Sequence, residues 1–501
     1  METPPLSAQL AEASPPSCLV VGGGLAGLAA AEAAVRHGWR VWLVEASARP
    51  GGMIVSERHD GWLVEHSADS FLASRREAIE VVERLGLCDA LIGIRPECRR
   101  ALVVRGGRLL PVPRGFRLLA PGSLAGLLTT PLLSPIGRLR VLLERFVPAR
   151  PESAGEESLA DFSRRRLGRE AFERLVQPLA GGIWTADPHK LGMAAACGDF
   201  LKMERDHGSL WAGEAARLRA AGRQSEATGA RYGQFVTLAE GLETLPRAWM
   251  TTIEKLGVRR LAAKLERLEP LELGYRGHLQ PAVGGDSPLE VTADAVVLAV
   301  AAPEAARLVG GWADTLAGEL GQIEYAGSAV VSLGVARGDV DHPLDAAGLV
   351  VPAIEGRRIL AVSFSSSKFP GRAPEGSVLM RVFIGGALDP AAARLDDASL
   401  EQIALEETRS LLGVRGRPQL MRTSRWEAAM PQYHVGHLER VARIMQAASE
   451  VPGLALAGAA YEGVGIPQVI GSGSRAALRA IATSSCRPRQ PAPRPSPFSS
   501  S

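Results

Sequence analysis

The sequence predicts an α/β protein whose central domain is doubly wound and assembled from separated segments. Three observations carry this. An apolar run, a glycine cluster, an alanine-rich stretch and a second apolar run follow one another from Cys18 to Glu45. Segments of related pattern return at Phe235–Leu261, Leu289–Pro303 and Gly453–Thr483. Between them lie one helical stretch and one rich in β-prone runs such as AVVSLGVA, RILAVSF and VLMRVFIGG, which suit a sheet flooring a substrate site.

Leu19–Val21 reads as a strand, Gly22-Gly-Gly-Leu-Ala-Gly27 as a tight turn, Leu28–His37 as a helix ended by Gly38, and Arg40–Val44 as a second strand. This is a Rossmann-type βαβ unit with Gly22, Gly24 and Gly27 in the GxGxxG positions. Gly22 allows the turn, Gly24 lets backbone approach a pyrophosphate, and Gly27 lets helix pack on strand; Gly23, Leu25 and Ala26 complete the turn. Glu45 ends the second strand 18 residues after Gly27 and can accept from ribose hydroxyls, while a 2′-phosphate would be repelled. Arg49-Pro-Gly51-Gly52 and Met53 follow as a second glycine turn.

The dinucleotide domain is expected over 18–92, 231–304 and 426–485, and an α+β substrate domain over 93–111 and 305–425. A helical insert is expected over 112–230. Within it, Gly115–Phe146 is leucine-rich, with four arginines and no acid before Glu144. That pattern suits a membrane-facing surface or an internal cap with snorkelling arginines equally well. Residues 1–17 and 486–501 read as a disordered lead and tail, the former without the features of a targeting signal.

A chain of 501 residues has room for two or three domains, and 46% hydrophobic with 22% charged residues is ordinary for a globular enzyme. The net charge of +3 argues against nucleic acid as the main partner. Cys18, Cys88, Cys98, Cys197 and Cys486 are dispersed without CxxC spacing, which fits free thiols in the cytoplasm. His434 and His437 are close, but no HExxH or cysteine context accompanies them, so no metal is expected.

The string Glu45-x3-Arg49-x-Gly-Gly resembles the signature of amine-oxidase-like flavoproteins, which implies FAD. PQYHVGH (Pro431–His437), LAGAAYEGVGIP (Leu456–Pro467), GLETLP (Gly241–Pro246) and RLVQPLAGGIWTADPHKLGM (Arg174–Met193) together resemble the protoporphyrinogen oxidase and coproporphyrinogen III oxidase family. The resemblance spans roughly 18–482. It implies oxidation of a porphyrinogen by dioxygen, with peroxide released, in haem biosynthesis. It places FAD along Gly22–Gly27, Glu45, Arg49, Gly51, Gly52 and Met53, with Ser67, Ala68, Asp69 and Ser70 near the flavin, Leu265 at the adenine, and Ala459, Val464, Gly465 and Ile466 facing the ring.

The resemblance also implies that Arg100 pairs with a propionate and that Val350, Ser363 and Phe383 flank the macrocycle. The flavin carries the chemistry, so no catalytic side chain is nominated. Three positions depart from the family pattern: Ser67-Ala68 replaces Gly-Pro, Ala101 replaces an aromatic, and Ser363 replaces leucine. His434, His437, Tyr461 and Glu462 read as structural, with the Pro-Gln-Tyr turn shaping the interface between the FAD domain and its insert. Further implied partners are a homodimer mate, a ferrochelatase taking the product, and the inner face of the cell membrane through residues 115–146. Rival readings are an amine oxidase, a carotenoid desaturase, or an FAD-containing porphyrin binder without turnover.

Overall fold

The computed structural model describes residues 15–220, 235–282 and 289–484. Residues 1–14 of the lead expected over 1–17, the tail 486–501 with Cys486, and the stretches 221–234 and 283–288 lie outside the described residues, whereas Ser17 opens the first strand.

One sheet of seven strands carries the glycine turns. Ser17–Val21 pairs in parallel with Arg40–Glu45 on one side and Ala295–Leu298 on the other. Arg259–Pro270 and Leu454–Leu456 extend the parallel set outward. Tyr275–Pro281 and Leu289–Ala293 then continue from Arg259–Pro270 as an antiparallel meander. Alternation along the strands sorts the core into two layers. Cys18, Val20, Val41, Leu43 and Val297 pack against the helices Leu25–Arg36, Thr244–Lys255 and Ile466–Thr483. Leu19, Val21, Val44, Val296 and Leu298 pack against the meander residues Leu265, Tyr275 and Leu279. Helices Leu25–Arg36 and Ile466–Thr483 cross so closely that a Cβ on Gly473 would lie 2.0 Å from the Ala26 carbonyl oxygen.

Three expectations about this sheet need correction. Phe235–Leu238 does not join it; that strand pairs with Phe71–Leu72 and Leu91–Gly93 in a separate three-stranded sheet. The run read as one strand over Leu289–Pro303 divides at Asp294, whose carboxylate takes both the amide and the hydroxyl of Ser17 at 2.7 and 2.8 Å. The boundary expected at 425 falls inside the strand Leu420–Pro431, which belongs to the second sheet. Its polar residues gave no apolar alternation to read.

The second sheet orders its strands as Leu420–Pro431, Tyr325–Ala336, Ser377–Gly385, Ala361–Ser363, Gly348–Val350, Ala101–Arg105 and Arg108–Pro111. One face buries Leu102, Leu349, Val362, Val382 and Val331 against helix Asp397–Leu412. Ala101, Val103 and Val350 on the other face pack on the helical segment from Phe116 to Leu210.

That segment encloses a charged knot. Arg166 and Glu144 are fully buried and paired. Arg166 also donates to the carbonyls of Val147 and Gly208 and to Glu204. Glu144 accepts from Ser209 and from the amide of Leu210.

Candidate cofactor and substrate site

Because the central strands are parallel, the loops at 22–24, 46–52 and 457–465 all leave the same edge of the sheet. The first is a cradle that side chains would fill. Gly22 has φ +101°, and a Cβ on Gly27 would lie 1.7 Å from the Gly22 carbonyl oxygen. Gly24 has nothing within 4 Å of its Cβ position, so the turn is open on that side. Gly51 donates to Gly23, and Gly52 lies 3.2 Å from Gly24 by the same measure, so the two glycine turns abut. Arg49 organises the second turn by donating to the carbonyls of Gly52 and Ile54 at 2.8 and 3.0 Å. Glu45 reaches back over the first, accepting from the Gly23 amide at 2.6 Å and from Ser47 at 2.7 Å. Backbone openings, a helix N-terminus and a carboxylate at the strand end fit a dinucleotide. Leu265 is buried on the strand beside Glu45, three residues beyond Ala262, which is in register with it.

The loop at 457–465 ends at Gly465, the N-cap of helix Ile466–Thr483, whose first turn carries no acid. Ala459 is held by the Tyr433 hydroxyl, which donates to its carbonyl. Glu462 is held by Arg475 and by Arg479 at 2.6 Å. Val464 packs toward the helical segment. The PQYHVGH motif ties three distant pieces together. Gly192 donates to the Tyr433 carbonyl at 2.7 Å, Gly436 donates to Glu156 at 2.6 Å, and Tyr433 stacks on His437 at 4.2 Å. Burial drives the His437 imidazole down to about 4 and raises the Tyr433 and Tyr461 phenols, so these groups are neutral structural members.

The floor comes from the second sheet. Register places Val103, Val350, Ala361 and Phe383 in one row and Ala101, Gly348, Ser363 and Arg381 in the next, on one face. Val350, Ser363 and Phe383 are therefore brought together. Helix Gln177–Trp184 lies over them: a Cβ on Gly182 would be 3.6 Å from Val350, and Ala387 donates to the Thr185 carbonyl. Arg100 is not brought to this face. It is exposed, has the parity of Leu102, and is engaged by the Asp345 carboxylate and carbonyl.

The segment at 67–70 hangs from this floor. The Ser67 hydroxyl donates to the Met53 carbonyl at 2.5 Å, which connects the segment to the second glycine turn, and Ala68 is exposed between them. Lys368 donates to Asp69 at 2.6 Å, and Arg381 pairs with Asp69 at 3.2 Å and donates to the Ser67 carbonyl. Burial opposes the charge on Asp69, but these two cations outweigh it and hold its carboxyl well below the usual range. Sequence reasoning missed Lys368 and Arg381. The one available signal was that Lys368, among only five lysines, stands inside the otherwise uncharged run VSFSSSKFP.

The family model of flavin containing amine oxidoreductases matches residues 25–481. A coproporphyrinogen III oxidase from Bacillus subtilis is 33% identical, covering 92% of this chain and 97% of its own. One from Propionibacterium freudenreichii is 35% identical, covering 92% and 90%. Among solved structures, a protein from Exiguobacterium sp. with the provisional name protoporphyrinogen oxidase superposes with a TM-score of 0.79 at 27% identity, covering 93% of this chain and 98% of that one. A putrescine oxidase at 16% identity and a TM-score of 0.66 shares the fold. With that model spanning most of its length and a site built from two abutting glycine turns, the chain belongs to the flavin containing amine oxidoreductase family.

Proposed function

We propose that the protein oxidises a porphyrinogen to its porphyrin with FAD as cofactor and dioxygen as oxidant, in haem biosynthesis, and that coproporphyrinogen III is its preferred substrate. The observation that carries this reading is the floor, where Val350, Ala361 and Phe383 form an apolar row on the face covered by helix Gln177–Trp184. A flat macrocycle needs such a surface. The identities to the two bacterial coproporphyrinogen III oxidases support the choice of porphyrinogen.

FAD would lie along Gly22–Gly27, Glu45, Arg49 and Gly51–Met53, with Leu265 toward the adenine and with residues 67–70, Ala459 and Val464–Ile466 near the flavin. When bound, FAD would supply the two-electron redox chemistry, as acceptor of a hydride equivalent from the substrate and donor of two electrons to dioxygen, with hydrogen peroxide as product. The chain supplies the rest. Phe383 offers a face for a pyrrole, and Val350 fills the slot behind it. The amides opening helix Ile466–Thr483 favour negative charge at the ring edge. Ser363, smaller than the leucine of the family pattern, leaves room beside Phe383. In this reading Arg100 would have to leave Asp345 to meet a propionate.

The test is an aerobic assay of the flavin-loaded protein with coproporphyrinogen III and protoporphyrinogen IX, following porphyrin fluorescence and peroxide together. The expected result is both signals rising in proportion, with the higher kcat/KM on coproporphyrinogen III. Bound FAD with no turnover of either would return the amine oxidase, carotenoid desaturase and binding-protein readings.

Among the described residues, no helix is long and apolar enough to cross a membrane. We extend the proposal to peripheral contact from the cytoplasmic side through residues 115–146. Arg117 pairs with Glu214, and Arg138 and Arg140 are turned to backbone carbonyls. What remains outward is apolar apart from Arg145, whose guanidinium lies over the Phe146 ring: Ile136 and Phe146 are 81% and 68% exposed, and Leu124, Leu139 and Leu143 stand near them in sequence. Two substitutions, Ile136→Asp and Phe146→Asp, are expected together to lower sedimentation with phosphatidylglycerol vesicles about tenfold. Unchanged sedimentation would assign the patch elsewhere. Hand-over of product to a ferrochelatase and a homodimer belong to the same reading through the resemblance.

A further inference from the structure

Three buried cations come from one stretch of the second sheet, between the floor strands Ala361–Ser363 and Ser377–Gly385 and on the latter itself. Lys368, Arg372 and Arg381 are 7%, 1% and 2% exposed. They face two acids that bracket the segment 66–68. Asp69 takes Lys368 and Arg381, while Glu65 stands 4.0 Å from Arg372. Glu65 is mainly engaged elsewhere, accepting from the Ser56 hydroxyl and the Leu242 amide, and burial pushes its carboxyl up toward the neutral form. Burial outweighs the Asp69 carboxylate in contact and lowers the Lys368 ammonium below its ordinary range. Arg372 spends its donors on the carbonyls of Leu238 and Ala239 and on Thr237.

Arg381 is less fully used. Its Nε has no partner among the described residues, and the same holds for the hydroxyls of Ser363 and Ser332, its register neighbours on either side. With Glu65 turned to other donors and Asp69 shared by Lys368 and Arg381, cationic side chains outnumber acidic ones in this cluster. In a dry interior such a surplus acts over longer distances than at the surface.

We propose that Lys368 and Arg381 are positioning residues that hold the segment 67–70 and place surplus positive charge behind it, so that the bound flavin is poised toward its electron-rich, reduced state. This rests on the reading that residues 67–70 line the flavin. The charge would ease each two-electron uptake from substrate, and no bond or proton transfer is assigned to either side chain. Polar clamping of the segment from the floor also takes over what a Gly-Pro pair does by backbone stiffness in the family pattern.

The test is the midpoint potential of the FAD-loaded enzyme, measured anaerobically against a reference dye without any porphyrinogen. Lys368→Met removes a cation and is expected to lower the potential. Asp69→Asn removes an anion and is expected to raise it. Lys368→Arg keeps the charge while changing the contact geometry, and is expected to stay at the wild-type value. Shifts of the same sign in Met and Asn variants, or a shift in Lys368→Arg as large as in Lys368→Met, would overturn the proposal in favour of a purely structural clamp. Should the first two variants fail to fold, Lys368→Gln takes their place and is expected to lower the potential, while a comparable shift in Lys368→Arg would still overturn the proposal. If the placement of residues 67–70 is what fails, all three variants keep both the wild-type potential and the wild-type flavin absorption spectrum.

Discussion

Gly24→Leu is expected to purify folded and colourless, whereas Gly27→Val is expected to lose the fold together with the cofactor. The two glycines stand three residues apart in one turn, yet they do different physical work. Gly24 has extended backbone that any residue adopts, φ −68° and ψ 178°, and its Cβ position meets nothing. A leucine there costs the apo protein little, within about 0.5 kcal/mol. It occupies the mouth that a diphosphate must cross, so FAD affinity is expected to fall at least a hundredfold, about 2.7 kcal/mol. At Gly27 the added carbon would meet the Gly22 carbonyl oxygen at 1.7 Å. The helix must then lift off the strand, an overpacking cost of about 1–3 kcal/mol or more in a layer that holds the sheet together. The ratio of flavin to protein absorbance, with thermal melts in and out of added FAD, separates the cases. A yellow Gly24→Leu protein would mean that the diphosphate does not pass over this turn.

Arg166→Leu is expected to destabilise the protein by about 3–5 kcal/mol, the range for removing one partner of a buried ion pair. The guanidinium is fully buried and serves Glu144, Glu204 and the carbonyls of Val147 and Gly208 at once. Without it, buried Glu144 loses its counter-charge, while Glu204 keeps Arg165 at 2.6 Å. The double variant Arg166→Leu with Glu144→Leu is expected to recover part of the loss, because no isolated charge remains at the centre. Urea melts of the two single variants and the double close the cycle. A double variant destabilised by the sum of the two singles would show that the charges act independently.

The parts of the fold legible in sequence were those where one local pattern decides. The GxGxxG turn, Glu45 and the Arg49-Pro-Gly-Gly turn are contiguous, and each has its own steric or hydrogen-bonding reason. The floor strands were legible from alternation, and Val350 and Phe383 do stand in one row. Pairing partners were not legible. Phe235–Leu238 has the composition of a core strand, and only its distant neighbours decide which sheet it joins. Arg100 fails for a related reason: the side of a strand that a residue takes depends on register with Gly348–Val350, which lies far away in the chain. The cation cluster was hidden because its members come from a connecting segment and an adjacent strand, while their acids lie some three hundred positions earlier.

The sheet that bears both glycine turns takes an inner strand from Ser17–Val21 and an outer one from Leu454–Leu456, and helix Ile466–Thr483 closes over helix Leu25–Arg36 at Ala26. Contacts of such long sequence separation form late, because the loop between them must be closed before they contribute. During synthesis, the glycine turn emerges long before helix Ile466–Thr483, and its packing is complete only once that helix has left the ribosome. For most of translation the nascent chain therefore carries an unclosed sheet with exposed apolar faces, which makes chaperone supply and free FAD concentration determinants of yield.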